Sequence, residues 1–550
     1  MNVLSQIEGG AKRLSEIVRV LTKYGIAGWL SDVKIDWVAK ILTSEHGERL
    51  THRSMEERIR LALTELGTTT IKLGQMLSTR PDLVGVDLAQ ELTKLQSSTP
   101  PDNPDDVLET LQSEFGASAN KAFTSFETKP IASASIGQVH QAVLSTGERV
   151  AVKVMHKDIE ERVHRDLDLL AFLADLMEKH SPVLRQYRPA ATVRHFRQTL
   201  LRELDYGYER RHLEEFAQNF RRDSTVHFPE VSPKWSTRRV LTMELLDGIP
   251  ISDREALKAT GADLTEYARR GATMYLEMIF RDGFYHADPH PGNLFMLSNN
   301  TVGVVDCGMV GRIDESLRTD IESILLASAI PDAEEIVEII CRMGLVPAEL
   351  DTRELKRDLS EILADYTSQS IDQFDLAGAL NRVTDLIRSY HIVLPQGFAM
   401  FFKTLIMLEG TAQQVSPAFS LTELLTPYYK KAAKRRLSPK RLLHETARSY
   451  RDWHRMLNAL PRDLTNIISR ARHGSFEIHH EHRRLEGTVD RLVKGILTSA
   501  LFIGSSMMLS SAVPPVIKEV SILGALGILA SLVLAIPLLL TIRKSTKNRD

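Results

Sequence analysis

Two uncharged apolar runs lie close together near the C-terminal end of the sequence. Gly495–Val513 reads GILTSALFIGSSMMLSSAV, and Val520–Ile542 is more apolar still. At 1.5 Å per residue the first run is just long enough, as a helix, to span a hydrocarbon core of about 30 Å. Between them stand Pro514, Pro515, Lys518 and Glu519, a break that cannot remain helical in lipid. The pattern predicts a helical hairpin. Arg491 and Lys494 precede it, and Arg543, Lys544, Lys547 and Arg549 follow it. The positive-inside rule then puts both ends and the bulk of the chain in the cytoplasm. The alternative, a helix pair buried in a soluble domain, explains the basic flanks less well. Upstream, KKAAKRRLSPKR (Lys430 to Arg441) and Arg470, Arg472, Arg483 and Arg484 make a basic stretch, suited to anionic lipid or to a solvated helix face.

The remaining length supports at least two regions with ordinary apolar cores, the chain having 550 residues. A formal charge of −2 gives no reason to expect nucleic acid. Cys307 and Cys341 are the two cysteines, with neither a CxxC pair nor a His/Cys cluster, which excludes a disulfide framework and a zinc site and fits a reducing compartment. The N-terminal MNVLSQIEGGAKRLSEIVRV mixes charges into its apolar positions and is no secretory signal. An ordinary surface helix is the preferred reading, an amphipathic helix on a partner or membrane the alternative.

Before residue 130 the pattern is helical, with Ile59, Leu63, Leu66, Ile71 and Leu77 at helical spacing. Ser97–Asp106 (SSTPPDNPDD) reads as a turn-rich linker. Short strand-like runs follow, ERVAVKVM (Glu148–Met155) and RRVLTMELL (Arg238–Leu246), with a long helical pattern between them and mostly helices after. This predicts an α+β chain with a small β-rich lobe and a helical lobe.

The chemistry is concentrated in two later motifs. HADPHPGN places Asn293 five positions after Asp288, and VVDCG places Asp306 thirteen beyond Asn293. In-line phosphoryl transfer needs a carboxylate beside the acceptor and oxygen ligands for Mg²⁺, the order found in kinases. Asp288 is the candidate base and Asn293 and Asp306 the candidate metal ligands. Upstream, the run Ile131, Ala132, Ser133, Ala134, Ser135, Ile136, Gly137, Gln138 and Val139 stands where kinases carry a glycine-rich loop over the phosphates. VAVK then delivers Lys153 to the phosphate oxygens, and Met243 and Glu244 lie on the hinge-like strand. Each piece alone is weak: buried VAVK runs are common, and His286 and His290 could be plain loop histidines or metal ligands. Their order is what points to ATP, or ADP, with Mg²⁺.

At these residues the chain resembles the UbiB/AarF family of atypical kinase-like proteins, associated with ubiquinone biosynthesis, from about Met55 through the hairpin. The family's KxGQ motif is Lys72-Leu-Gly-Gln75. Its LQ…PP segment is Leu95-Gln96 with Pro100-Pro101, and its ExD motif is Glu203-Leu-Asp205, followed by Glu209. On spacing alone Glu65, Thr68, Lys72, Gln75 and Thr79 form a polar helix stripe, which simple solvent exposure would explain. The resemblance instead implies that this helix lies over the active site as a regulatory cover, with Lys72 and Gln75 near Glu203 and Asp205, hindering protein substrates. It also implies a Lys153–Glu209 ion pair, with Glu203 the alternative partner.

Three departures stand out: Ser133 interrupts the alanine-rich loop, His212 replaces an asparagine, and DCG replaces DFG. No APE-like substrate-docking signal follows. The resemblance therefore implies a protein-kinase-like two-lobed fold divided into an N-terminal helical extension (1–100), N-lobe (101–250), C-lobe (251–430), basic helical juxtamembrane segment (431–494) and two transmembrane helices (495–542). It implies an ATPase or atypical kinase at the cytoplasmic membrane. Expected partners are the lipid bilayer, quinone-biosynthesis enzymes and prenylated lipid intermediates. A protein kinase and a non-catalytic nucleotide-binding scaffold are the alternatives.

Overall fold

The computed structural model describes residues 3–26, 53–95, 99–116, 119–180, 188–329, 332–347, 349–367, 375–417, 419–436, 486–511, 513–517 and 520–547. The chain divides into two compact units, 1–442 and 443–550. In the first, an antiparallel five-stranded sheet is built from Phe123–Phe126, Ala132–Ser133, Gly137–Leu144, Arg149–Met155 and Val240–Glu244. The strand Arg149–Met155 lies between Gly137–Leu144 and Val240–Glu244. Its alternation puts Val150, Val152 and Val154 into a core with Trp235 and with Val107 and Leu111 of helix Pro104–Phe115. Ala151 and Met155 join the other, larger core, and Lys153 lies on that same side of the pleat. The strand Phe123–Phe126 falls where the sequence reads as helical, since four residues are too few for a periodicity to register.

The second half of this unit is helical around two small sheets. One runs Val226–His227, Val302–Val304, Leu294–Met296, Ile249–Pro250; the other pairs Phe284–His286 with Val310–Arg312. An aromatic stack joins the halves. Phe216, on helix Tyr206–Asn219, stacks on Phe284 with centroids 4.4 Å apart and on Phe228 at 5.2 Å.

The helix expected to run through Leu66 and Lys72 is broken. Ser54 caps Met55–Leu66 by accepting from the Glu57 N–H, and a second helix, Thr68–Leu77, starts after Gly67. Gly67 has φ 98° and ψ −163°, a conformation essentially confined to glycine. The continuous polar stripe is therefore lost. Glu65 pairs with Lys23 at 2.8 Å, and Thr79 lies buried beyond the second helix, donating to the Met76 carbonyl. The N-terminal helix Val3–Lys23 packs within the chain: Ile17 and Val20 meet Ala62 and Leu66, and Arg13 bonds Asp166 at 2.9 Å.

In the second unit, helices Glu486–Ser510 and Ile522–Lys547 pack on each other, joined through paired two-residue strands Val516–Ile517 and Val520–Ser521. Small residues permit the close approach: a Cβ on Gly527 would strike Ser505 Oγ, and one on Gly524 would sit 2.8 Å from the Leu509 nitrogen. Val493–Ser510 is long and apolar enough to cross a membrane, while the apolar part described in the second helix, Ile522–Ile536, is shorter. The first helix ends at Ser510, so Val513 falls outside it. Gln96, Ser97, Ser98, Lys518 and Glu519, and the basic positions Arg470, Arg472, Arg483 and Arg484, lie outside the described residues.

Because a Cβ at Gly67 would meet open space, Gly67→Ala isolates backbone strain from packing. It is expected to cost about 1–3 kcal/mol of stability, read as a lower chemical-denaturation midpoint.

Candidate active site

Lys153 is where the sheet, the helix after the ExD motif and the DCG segment meet. Its Nζ donates to both Glu209 carboxylate oxygens at 2.9 Å and lies 3.4 Å from Asp306 Oδ1. Asp205 begins the helix that carries Glu209, accepting from the Gly207 N–H at 2.8 Å. Glu203, the last residue of the preceding helix Pro189–Glu203, binds Lys72 at 2.5 Å. The pairing is thus Lys153 with Glu209 and Lys72 with Glu203, while Asp205 acts as a helix cap.

The electrostatics follow from this crowding. Burial disfavours the charged lysine, yet Asp306 and Glu209 hold Lys153 well above the usual lysine range. Lys153, with Lys72 and His286 adding, pulls Asp306 down to about 2. Burial pushes Glu209 up to about 7 against the attraction of Lys153. Burial acts against Lys72 too, but Glu203 and more distant Asp306 raise it.

Tyr206 lies under the phosphate-loop strand. Lys153 sits 5.3 Å from its ring centroid, and a Cβ on Gly137 would collide with its hydroxyl. Gly137 is therefore required by packing beneath the loop. In the loop, the buried hydroxyls of Ser133 and Ser135 have no hydrogen-bond partner. Ile131 is exposed, and Ala132 and Ser133 form a short strand against Val139 and Gln138. Ala134 and Ile136 are tied down through their backbones: the Ala134 N–H donates to the Gly137 carbonyl and the His156 N–H to the Ile136 carbonyl, both at 2.9 Å. Val139 pairs with Lys153 across the sheet, whereas Gln138 points to the opposite face. Its amide oxygen accepts from the Asp102 N–H at 2.8 Å, so the Gln138 side chain holds the Pro100–Pro101 turn and is not available to nucleotide. Gln75 likewise turns away from the cleft, donating to the Leu95 carbonyl at 3.1 Å. On the hinge strand Met243 is buried, and the Glu244 carboxylate accepts from His227 at 2.8 Å, leaving backbone as what this strand offers a base.

The HADPHPGN loop is held on every side. His286 accepts from the Asp288 N–H at 3.1 Å and lies 3.1 Å from the Asp306 carbonyl. His290 accepts from the Gly292 N–H, closing the turn Pro291–Asn293. Both histidines thus have structural partners. Asn293 Nδ2 donates to the Asp288 carbonyl and carboxylate, both at 3.2 Å, which leaves its amide oxygen to offer a cation. Asp306 has φ 57°, and the DCG turn is fixed by His212, whose Nδ1 lies 3.0 Å from the Cys307 carbonyl. The residue that departs from the family pattern supports the turn that carries Asp306. Behind the loop, helix Gln396–Val415 donates from Thr404 to the Ala287 carbonyl at 3.4 Å and from Thr411 to the Pro289 carbonyl at 2.8 Å.

No group of three His, Cys, Asp or Glu among the described residues is placed to hold an ion. Asp306 and Asn293 nevertheless fit Mg²⁺, which takes one or two protein ligands and fills its octahedron with phosphate oxygens and water. Sequence reasoning missed Asp102, Tyr206 and Lys403. For Lys403 a signal existed: it is the lone charge in the run GFAMFFKTLIML.

Comparison with known proteins places the chain. Residues 94–340 match the ABC1 atypical kinase-like domain, 359–420 the UbiB helical domain and 477–544 the ABC1/UbiB kinase-like C-terminal domain. A protein of Pseudomonas paraeruginosa named probable protein kinase UbiB is 31% identical over 442 residues, covering 78% of this chain and 83% of that protein. The chain belongs to the ABC1/UbiB family. An uncharacterized protein from the hydrogenase 1 5′ region of Clostridium pasteurianum matches this UbiB-family chain at 28% identity over 541 residues, 97% of this chain and 99% of that one. A solved Mycobacterium tuberculosis structure, Rv3197 with erythromycin, aligns at 23% identity and TM-score 0.44, covering 67% of this chain and 94% of that one. Membership makes the kinase-like region and the association with ubiquinone biosynthesis family properties.

The Lys153–Glu209 pair is largely buried, with side chains 13% and 6% exposed. Lys153→Met leaves a buried carboxylate unpaired and is expected to cost about 3–5 kcal/mol. Glu209→Gln in the same chain should recover part of that loss, measured by denaturation as a double-mutant cycle.

Proposed function

We propose that this chain binds Mg·ATP in the cleft and uses it, as an atypical kinase or ATPase, to support formation of ubiquinone or a related isoprenoid quinone at a membrane. The observation that carries the reading is the convergence of Lys153, Glu209 and Asp306 within hydrogen-bonding distance, beside an Asp288 that is hydrogen-bonded to Asn293. Asp306 and Asn293 would hold Mg²⁺, which supplies charge neutralisation on the phosphate oxygens. Lys153, fixed by Glu209, meets the oxygens on the nucleotide side. The unpaired hydroxyls of Ser133 and Ser135 are suited to the phosphates beneath the loop. Asp288 receives the acceptor proton as the acceptor oxygen bonds to the γ-phosphorus. The bridging P–O bond breaks with its electron pair leaving on ADP.

The segment following Lys72 favours a small acceptor over a protein. Lys72 is bound to Glu203 on one side of the cleft, while Asp82 accepts from the Leu394 N–H and Lys403 donates to Ser78 on the other. A protein kinase is the second reading, favoured by the names of the Pseudomonas relatives.

Membrane attachment is supported by the second unit, whose outward apolar side chains find no cover: Leu497 is 64% exposed, Met507 67% and Val533 62%. A surface of that kind suits lipid. Val533→Lys is expected to oppose insertion by up to about 3 kcal/mol, seen as a larger fraction extracted by alkaline carbonate.

In purified protein in lipid, Asp306→Asn is expected to lose Mg·ATP affinity. Asp288→Asn should keep that affinity while turnover falls by about 10²–10⁴-fold. ATP bound without hydrolysis above the Asp288→Asn control would leave a scaffold, and phosphate arriving on a protein in an Asp306-dependent way would favour the protein kinase. Deleting the gene and profiling membrane quinones tests the pathway, and normal quinones would defeat it.

A further inference from the structure

The cleft has a cation on the nucleotide side but none in the catalytic loop itself. From Asp282 to Gly311, a stretch that includes Asp288, Asn293 and Asp306, the sequence contains no lysine or arginine. His286 and His290 are both engaged by backbone N–H groups. Lys153 is committed to Glu209 and Asp306, and Lys72 to Glu203. In-line transfer nevertheless spreads negative charge over the oxygens of the moving phosphoryl group, on the acceptor side as well as the nucleotide side.

Lys403 is a largely buried cation close enough to Asp288 to be acted on by its charge. It projects from helix Gln396–Val415, the helix whose next residue, Thr404, and whose Thr411 hold the carbonyls on either side of Asp288. Its Nζ donates to the hydroxyl of Ser78, a neutral partner, at 3.0 Å. The negative charge acting on it is Asp288, which offsets part of the burial that brings the ammonium down to about 8. Burying a lysine against a hydroxyl is costly unless an anion completes its surroundings.

We propose that Lys403 is a catalytic residue of the phosphoryl transfer proposed above, donating from Nζ to an oxygen of the moving phosphoryl group on the acceptor side of Asp288. It stays protonated throughout, since the acceptor proton passes to Asp288. Ser78 holds the ammonium in place before the phosphoryl group arrives. Because Ser78 belongs to the segment that follows Lys72, closing that segment over the cleft and setting this cation are one event. The proposal rests on the Mg·ATP reading.

The test uses the full-length protein in lipid and two readouts, steady-state ATP turnover and the affinities for Mg·ADP alone and for Mg·ADP with orthovanadate, which mimics the phosphoryl group in transit. Lys403→Met is expected to leave Mg·ADP affinity unchanged, which also reports that the variant is folded. Turnover should fall about 10²-fold or more, and the gain in affinity that vanadate brings should be lost. Lys403→Arg, which keeps the charge, should restore most of both, and Ser78→Ala should cost less than Lys403→Met. Wild-type protein that never turns over ATP sinks the Mg·ATP reading itself. Active wild-type protein with a normal Lys403→Met variant overturns only the role of Lys403. So does a Ser78→Ala variant as impaired as Lys403→Met in both readouts, because Lys403 would then be no more than a tether.

Discussion

The ammonium of Lys153, shared between Glu209 and Asp306, is the contact on which the rest of the cleft depends. Its three groups come from a central strand, from the helix Tyr206–Asn219 and from the turn after strand Val302–Val304. Two carboxylates around one buried cation are stable only while all three elements hold position, because a displaced partner leaves an uncompensated charge. The surroundings are consistent with that demand. Tyr206 presents its ring to the lysine, Gly137 leaves room for the Tyr206 hydroxyl, and His212 holds the Asp306 turn from behind.

A second set of contacts runs across the cleft. The chain from Lys72 to Asp82 meets Glu203 on the sheet side and Leu394 and Lys403 on the helical side, with Arg80 and Asp82 forming a bidentate pair between them. The halves of the kinase-like unit are thus joined by polar contacts of a segment that precedes both in sequence. The same segment also packs Met76, with Leu73 and Leu77 beside it, into the main core, so the joint is apolar as well as polar.

The grouping of the motifs was legible in their residue types and order: the fold sets Lys153 beside Asp306 and Asn293 beside Asp288. The lobes were legible through alternation in VAVKVM and helical periodicity after it. What escaped depends on single residues that periodicity averages over. Gly67 splits a helix that spacing joins, and Gln138, inside the phosphate-loop motif, is turned by strand alternation to the far face. Lys403 escaped because its meaning comes from Ser78, 325 positions earlier. At the other end two membrane-spanning helices were expected; among the described residues one, Val493–Ser510, is long and apolar enough to cross, and its helix stops at Ser510, before Pro514 and Pro515, instead of continuing to Val513.

The backing of the catalytic loop bears on what counts as a unit in this family. The region matching the kinase-like domain closes at residue 340, yet the hydroxyls supporting the carbonyls beside Asp288 come from Thr404 and Thr411, 117 and 122 positions beyond their partners. An excised 94–340 fragment would therefore hold every residue of the phosphoryl-transfer signature and still lack the wall against which its loop is set. The helical region that matches separately at 359–420 is, in physical terms, the rear wall of the candidate site. Boundaries drawn from sequence similarity pass through a single cooperative structure, and loss-of-function substitutions should be sought in that rear wall as readily as in the motifs themselves.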